Sequence, residues 1–532
     1  MIIEPAKYQI KLVTLLSLSS AFNTAVYSQT GNKPHPNIVF IMSDDHAYQA
    51  ISAYGGALKD LAPTPHIDRI AQRGMRFNRC LVTNSISGPS RACILTGKYS
   101  HINGFLSNEA DPFDGSQQTF PKLLQKAGYQ TAIIGKWHLG SEPTGFDHWE
   151  ILPGQGNYYN PDFIGKSGKY TEMGYVTEII TEKSIRWLQD AKEGGKPFMI
   201  MIHHKAPHRD WQPGPEELTL YKNINFPEPP TLFDDYSNRV TAEREQDMTI
   251  AETMRLEEDL KLFKDRSKMK HTGLDRLTAD QAEAWDAIYN PIIQFFYNSE
   301  LSGRDLIRFK YQRYMQDYLA CIAAVDKSVG KILDFLQENG LDKNTIVIYT
   351  SDQGFFLGEH GWFDKRWMFE ESYRTPLLMQ WPGVIRPGSV NNDMVSNIDF
   401  APTFLEIAGM EIPLDMQGES LFCLFDGQTP SCWRKEHYYH YYEYPGYHSV
   451  KRHYGISTEC YKLIHFYYDI DEWELFDFKA DPFELKNLYN DPAYRGIKEY
   501  LHIRLNKLMS KYHDSDSLAR SFLPVPSPEF QK

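Results

Sequence analysis

Residues 37–42 form a short, unbroken apolar run that stops abruptly at Ser43-Asp44-Asp45-His46. A strand buried on both faces reads as continuous apolar sequence and shows polar groups only where it emerges at its carboxyl end. Four more runs behave in the same way, at 131–135, 198–202, 345–350 and 376–381. Helical patterns alternate with them at 65–74, 175–190, 313–338 and 399–409. Such alternation specifies an α/β fold, a large, mostly parallel sheet sandwiched by helices. Ligands of these sheets bind beyond the carboxyl ends of the strands.

Two regions break the pattern. Residues 213–308 are polar and weakly patterned, and 243–270 looks like a surface helix, so this segment reads as an insertion. From 429 onward, aromatic-rich strands at 438–444, 454–456 and 462–468 precede a terminal helix at 497–512. A smaller α+β subdomain over 429–532 is the expectation, after a main domain over 29–428. At the other end, Lys7 and Lys11, an apolar stretch at 12–22 and small residues up to Ser28 read as a secretory signal over 1–28. The stretch is too short to span a bilayer comfortably, so a periplasmic or secreted protein is expected.

Of 532 residues, 56 are basic and 69 acidic, a net charge of -13 that provides no positive field for nucleic acid. An anionic substrate must then be held by a few local cations and a metal. The 33 Tyr suit either stacking on sugar rings or a Tyr-rich core. Six Cys lack CxxC spacing, and Cys423–Cys432 is the most plausible local pair.

Chemistry-bearing residues cluster at the strand ends. Asp44 and Asp45 are adjacent carboxylates that repel each other unless a cation lies between them. Asp352 and Gln353 follow the strand at 345–350 and complete an all-oxygen set suited to Ca2+ or Mg2+ rather than zinc. Taken alone, such a pair is equally a loop or cap. Lys136 and His138 follow one strand; His203, His204 and His208 follow another. In Ser87-Gly88-Pro89-Ser90-Arg91, Pro89 fits the first turn of a helix, where an anion would meet free backbone amides. Ser87 or Ser90 serves equally well as a helix cap.

The sequence SGPSRACILTGKY at 87–99 resembles the signature of type I sulfatases of the alkaline-phosphatase-like superfamily, and the resemblance runs from about residue 36 to 489. It implies that Ser87 is oxidised to formylglycine by a radical-type maturating enzyme in a bacterial host. It further implies Ca2+ on Asp44, Asp45, Asp352, Gln353 and residue 87, although Gln353 stands where Asn is common. Arg91, Lys136 and Lys365 match sulfate contacts. His138 matches the group beside the formylglycine hydroxyl, and His208 the acid for the departing sugar oxygen, with His203 and His204 as rivals. The stretches 443–467 and 471–491 resemble the bacterial N-acetylglucosamine-6-sulfatase branch acting on heparin and heparan sulfate. Asp364, Arg366, His448 and His453 are the polar groups expected at the sugar. The alternatives are another carbohydrate 6-O- or 2-O-sulfatase, a phosphate or phosphonate monoesterase, and an inactive glycan-binding protein.

Overall fold

The apolar run at 37–42 is a strand, β1 (Asn37–Ser43), buried along its whole length. The computed structural model that shows this describes residues 35–109, 111–266, 269 and 272–523. The expected export signal lies outside them. After β1 come β2 (Met75–Leu81), β3 (Gln130–Lys136), β4 (His148–Leu152), β5 (Asp162–Gly165), β6 (Gly168–Thr171), β7 (Phe198–His204) and β8 (Thr345–Ser351). A short ribbon, β9 (Phe356–Leu357) and β10 (Phe363–Asp364), precedes β11 (Arg374–Gln380) and β12 (Ser389–Ser396).

Ten of these strands form one sheet in the order β12-β2-β11-β8-β1-β7-β3-β4-β5-β6. Its centre, β8-β1-β7-β3, is parallel, while β11 runs antiparallel between β8 and β2. Both faces are covered. Val39, Ile41, Ile134, Ile200, Ile202 and Val347 pack into the core that holds helices Pro65–Arg73, Val176–Glu193 and Gly303–Glu338. Ile38, Phe40, Met42, Ile133, Met199 and Ile348 fill the other core, with helices Phe120–Lys126 and Phe400–Ile407. Alternate residues of each strand thus meet opposite layers, which is why the runs are apolar at every position. Each side chain so buried contributes about 1.5–3 kcal/mol.

Some expectations change. The stretch 243–270 is no surface helix: among its described residues only the end of Thr241–Glu245 is α-helical, and the described chain beyond it is irregular. Met248, Ile250, Met254, Leu260 and Leu262 are all buried, more inward positions than one amphipathic helix face supplies. A helix does form further on, at Ala279–Ser299, started by a capping box between Thr278 and Gln281. The helix expected at 313–338 begins at Gly303. Cys423 and Cys432 are exposed free thiols, so the expected pair is not formed.

The C-terminal region builds a four-stranded antiparallel sheet, β13 (Glu436–Tyr441), β14 (His453–Thr458), β15 (Tyr461–Phe466) and β16 (Glu472–Asp477). Leu501, Leu505 and Leu508 of helix Arg495–Lys511 pack with Tyr438, Ile456 and Leu463 of this sheet. Among the described residues, no helix is long and apolar enough to cross a membrane.

Candidate active site

Parallel strands point their carboxyl ends the same way, and register brings the polar residues level. Ser43 pairs with both Ser351 and His204, so the next residues, Asp44, Asp352 and Lys205, emerge side by side. Gly135 lets β3 join them. Its φ is +107°, and a Cβ there would lie 2.0 Å from the His203 carbonyl oxygen. Only glycine lets the chain pass that close and deliver Lys136 and His138.

The fourth contributor is the fully buried helix Ser87–Thr96. The Ser87 hydroxyl donates to Asp44 Oδ1 at 3.3 Å and the Ser90 hydroxyl to the Asp352 carbonyl, so neither acts as a helix cap. Arg91, 2 % exposed, reaches Asp352 Oδ2 at 2.9 Å and Asp44 Oδ1 at 3.4 Å. It also donates to the Lys136 carbonyl at 3.0 Å.

Asp44, Asp45 and Asp352 are buried, and one carboxylate oxygen from each lies within 4.8 Å of the other two. Two like charges about 4 Å apart cost about 4 kcal/mol at a typical protein dielectric, so the cluster needs cations. Lys136 pairs with Asp44, and Lys365 Nζ lies 2.7 Å from Asp45 Oδ2. Burial opposes ionisation of Asp44, yet Lys136, Arg91 and Lys365 hold its carboxyl well below the ordinary range. Asp45 behaves oppositely. Burial, only partly offset by Lys365 and reinforced by Asp44 and Asp352, pushes it up to about 7. Gln353 Nε2 donates to Asp45 at 2.5 Å and to Asp352 at 2.9 Å, while its Oε1 is buried without a hydrogen-bond partner.

Above this cluster opens a cavity of about 480 Å³. His138, His208, Asp364, Lys365 and Arg366 line it. His208 Nδ1 lies 2.6 Å from the Arg209 carbonyl, and its Nε2 is 3.7 Å from Asp45 Oδ2. His138 Nε2 meets Gln155, whose Oε1 accepts from Lys136 Nζ at 2.5 Å. Burial, then the cationic Lys136, holds each of these imidazoles well below its usual range, so both are neutral. Burial also brings Lys136 down to about 8, against the pull of Asp44.

The other expected residues divide. His203 and His204 are buried off the cavity, His203 against the Lys136 carbonyl and Arg91, His204 against Ser328. Asp364 bonds Arg366 at 2.6 Å and His448 Nε2 at 3.0 Å. His448 uses its other nitrogen on the Asp247 carbonyl and so stands behind Asp364. His453 is not brought to the cavity. Its place on β14 buries it among Trp367, Tyr439, Tyr441 and Phe466, with Nδ1 on the Lys451 carbonyl.

The structure adds wall residues that the sequence reading did not single out: Asn108, Gln155, Lys205, Arg209, Asp259 and Glu443. Lys205 and Arg209 flank the His208 segment and carried a signal by position. Asp259 sits in the irregular insertion, where no pattern marks it.

Comparison with known proteins shows the family to which the fold belongs. The sulfatase family model matches residues 36–410, and the N-sulphoglucosamine sulphohydrolase C-terminal model matches 358–511. An N-acetylglucosamine-6-O-sulfatase of Bacteroides thetaiotaomicron is 51% identical over 512 residues, covering 94% of this chain and 90% of that protein. The solved structure of BT4656 in complex with its substrate D-glucosamine-2-N,6-O-disulfate superposes with a TM-score of 0.88 at 52% identity, over 91% of this chain and 99% of that one. Human N-acetylglucosamine-6-sulfatase is 28% identical over 437 residues, covering 77% of this chain and 68% of that protein. With a family match over most of its length and the strand-end cluster in place, this chain belongs to the sulfatase family.

Proposed function

We propose that this protein is an exported enzyme that hydrolyses the 6-O-sulfate of N-acetylglucosamine or glucosamine derived from heparin or heparan sulfate. The observation that carries this reading is the Ser87 hydroxyl on Asp44, at a helix start facing three carboxylates, in a chain half identical to a 6-O-sulfatase.

Asp44, Asp45, Asp352 and Gln353, with residue 87, would hold Ca2+. Their donors are all oxygen, the carboxylates crowd one point, and the unpartnered Gln353 Oε1 is the atom such an ion would satisfy. When bound, the cation supplies charge neutralisation for an anionic centre. As formylglycine, made by a radical-type maturating enzyme, residue 87 would supply a hydrated aldehyde as the nucleophile for sulfur.

The chain's own groups do the rest. Arg91, Lys136 and Lys365 stand where negative charge must be held as the ester bond breaks, in a site preorganised by their ion pairs. His208 keeps Nδ1 on the Arg209 carbonyl, which fixes the ring and leaves Nε2 for the sugar oxygen. An arriving sulfate ester offsets the cations that add to burial in keeping this imidazole neutral, and so favours its taking up from solvent the proton it delivers. His138, oriented by Gln155, takes the proton from residue 87 as sulfate departs. Asp364 and Arg366, fixed on each other, meet the sugar hydroxyls.

Mass spectrometry of the peptide containing Ser87, from protein matured in a host with a radical-type maturase, tests the nucleophile. Loss of two hydrogens is expected; an unmodified serine in fully active enzyme contradicts the scheme.

A further inference from the structure

Most cations in and beneath the cavity are matched within the protein. Arg91, Lys136 and Lys365 meet the aspartate cluster, Arg209 is paired to Asp259, and Arg366 to Asp364. Lys205 differs. It stands one residue past β7, lines the cavity and is 4 % exposed. Its ammonium lies 4.7 Å from the centre of the Tyr158 ring, and among the described residues it makes no hydrogen bond or ion pair. Burying an ammonium without a hydrogen-bonded partner is costly, and proteins rarely keep such a group without use. Burial accordingly draws its pKa down, although Asp210 and Asp44 pull the other way.

The position of Lys205 points to the sugar side of the site. Its carbonyl accepts from the His208 amide at 3.0 Å, and Tyr158, beneath its ammonium, donates to the His208 carbonyl at 2.5 Å. Lys205 is thus tied to the histidine assigned to the leaving sugar oxygen, whereas the cations for the reacting sulfate hold their own aspartates. Arg255, another cation on this wall, already meets Glu258 at 2.8 Å.

We propose that Lys205 binds a second anionic group of the substrate, distinct from the sulfate that is cleaved. That group is a sulfamate on the same sugar or a carboxylate on the neighbouring uronate. The inference rests on the sulfate-ester reading above.

The test compares the parent with Lys205→Met and Lys205→Arg on three substrates: N-acetylglucosamine 6-sulfate, glucosamine 2-N,6-O-disulfate and a uronate-bearing disaccharide of the first. Lys205→Met is expected to lower kcat/KM at least about tenfold more on a doubly anionic substrate than on the singly anionic one, through KM. Lys205→Arg is expected to restore most of it, and the substrate that shows the effect identifies the anion. Equal losses on all three substrates, or none, overturn the proposal. A parent that cleaves none of the three refutes the 6-O-sulfate reading instead. Calorimetric titration with glucosamine 2-N-sulfate and the unsulfated disaccharide then decides Lys205 alone. Binding of either one about tenfold weaker to Lys205→Met supports the assignment, and equal binding of both overturns it.

Discussion

Replacing Arg91 by Met tests the charge balance on which the site depends. Arg91 is 2 % exposed and holds both Asp44 and Asp352. Breaking a buried ion pair by deleting one partner costs about 3–5 kcal/mol, because the remaining charge is stranded. In chelator, the variant is expected to lose that much stability. Calcium should narrow this deficit. A divalent cation on the order of 6 Å from a guanidinium is repelled by about 1.4 kcal/mol even at the dielectric of water, so losing Arg91 tightens binding about tenfold. At a calcium concentration near 100 times the parent's Kd, the parent gains about 2.7 kcal/mol and the variant about 4.1 kcal/mol. Urea unfolding of both proteins, with chelator and with calcium, reads all four values. A variant that loses less than about 1 kcal/mol in chelator, or gains no more from calcium than the parent, refutes the reasoning.

Further outcomes follow from the same contacts. His208→Gln should cost about 10²–10⁴-fold in kcat on sugar sulfates and far less on an aryl sulfate, whose leaving group departs without a proton; equal losses on both would remove His208 from the acid role. Arg366→Leu, freeing Asp364 from its 2.6 Å partner, should raise KM for sugar sulfates about 10–100-fold and leave aryl sulfate hydrolysis nearly intact, as steady-state kinetics would show. Glu243 and Glu474 are both fully buried, and burial followed by the neighbouring Glu474 holds the Glu243 carboxyl well above its usual range. A carboxyl raised on folding contributes stability at low pH that is lost as pH rises, so Glu243→Gln should flatten the decline in melting temperature between about pH 5 and 8.

The central strands and the cluster beyond them were readable because burial on both faces leaves an unmistakable apolar run, as at β1, β7 and β8. Strands without that burial escaped. The sequences MRFNRCL of β2 and SVNNDMVS of β12 mix polar and apolar residues, since their outer positions are only partly covered. The segment 243–270 misled because its acids and leucines mimic helical spacing, while its apolar residues point inward from an irregular path. His453 carried a polar side chain in a promising stretch, but pairing of β14 with β13 and β15 sets it opposite Tyr441 and Phe466, inside an aromatic cluster. Ser87 marks the boundary of what residues alone decide. A serine before a helix proline is usually a cap, and only the strand register that brings Asp44 to its hydroxyl distinguishes it.

Sulfate release by the matured enzyme from glucosamine derivatives sulfated singly at the 2-N, 3-O or 6-O position, and from a 2-O-sulfated uronate, bears on nucleophile and substrate together when Ser87→Ala from the same host is run beside it. Release from the 6-O position, lost by at least about 10³-fold in Ser87→Ala with the fold intact, is the expected result. Exclusive release from the 2-O position, or full activity without Ser87, would contradict it.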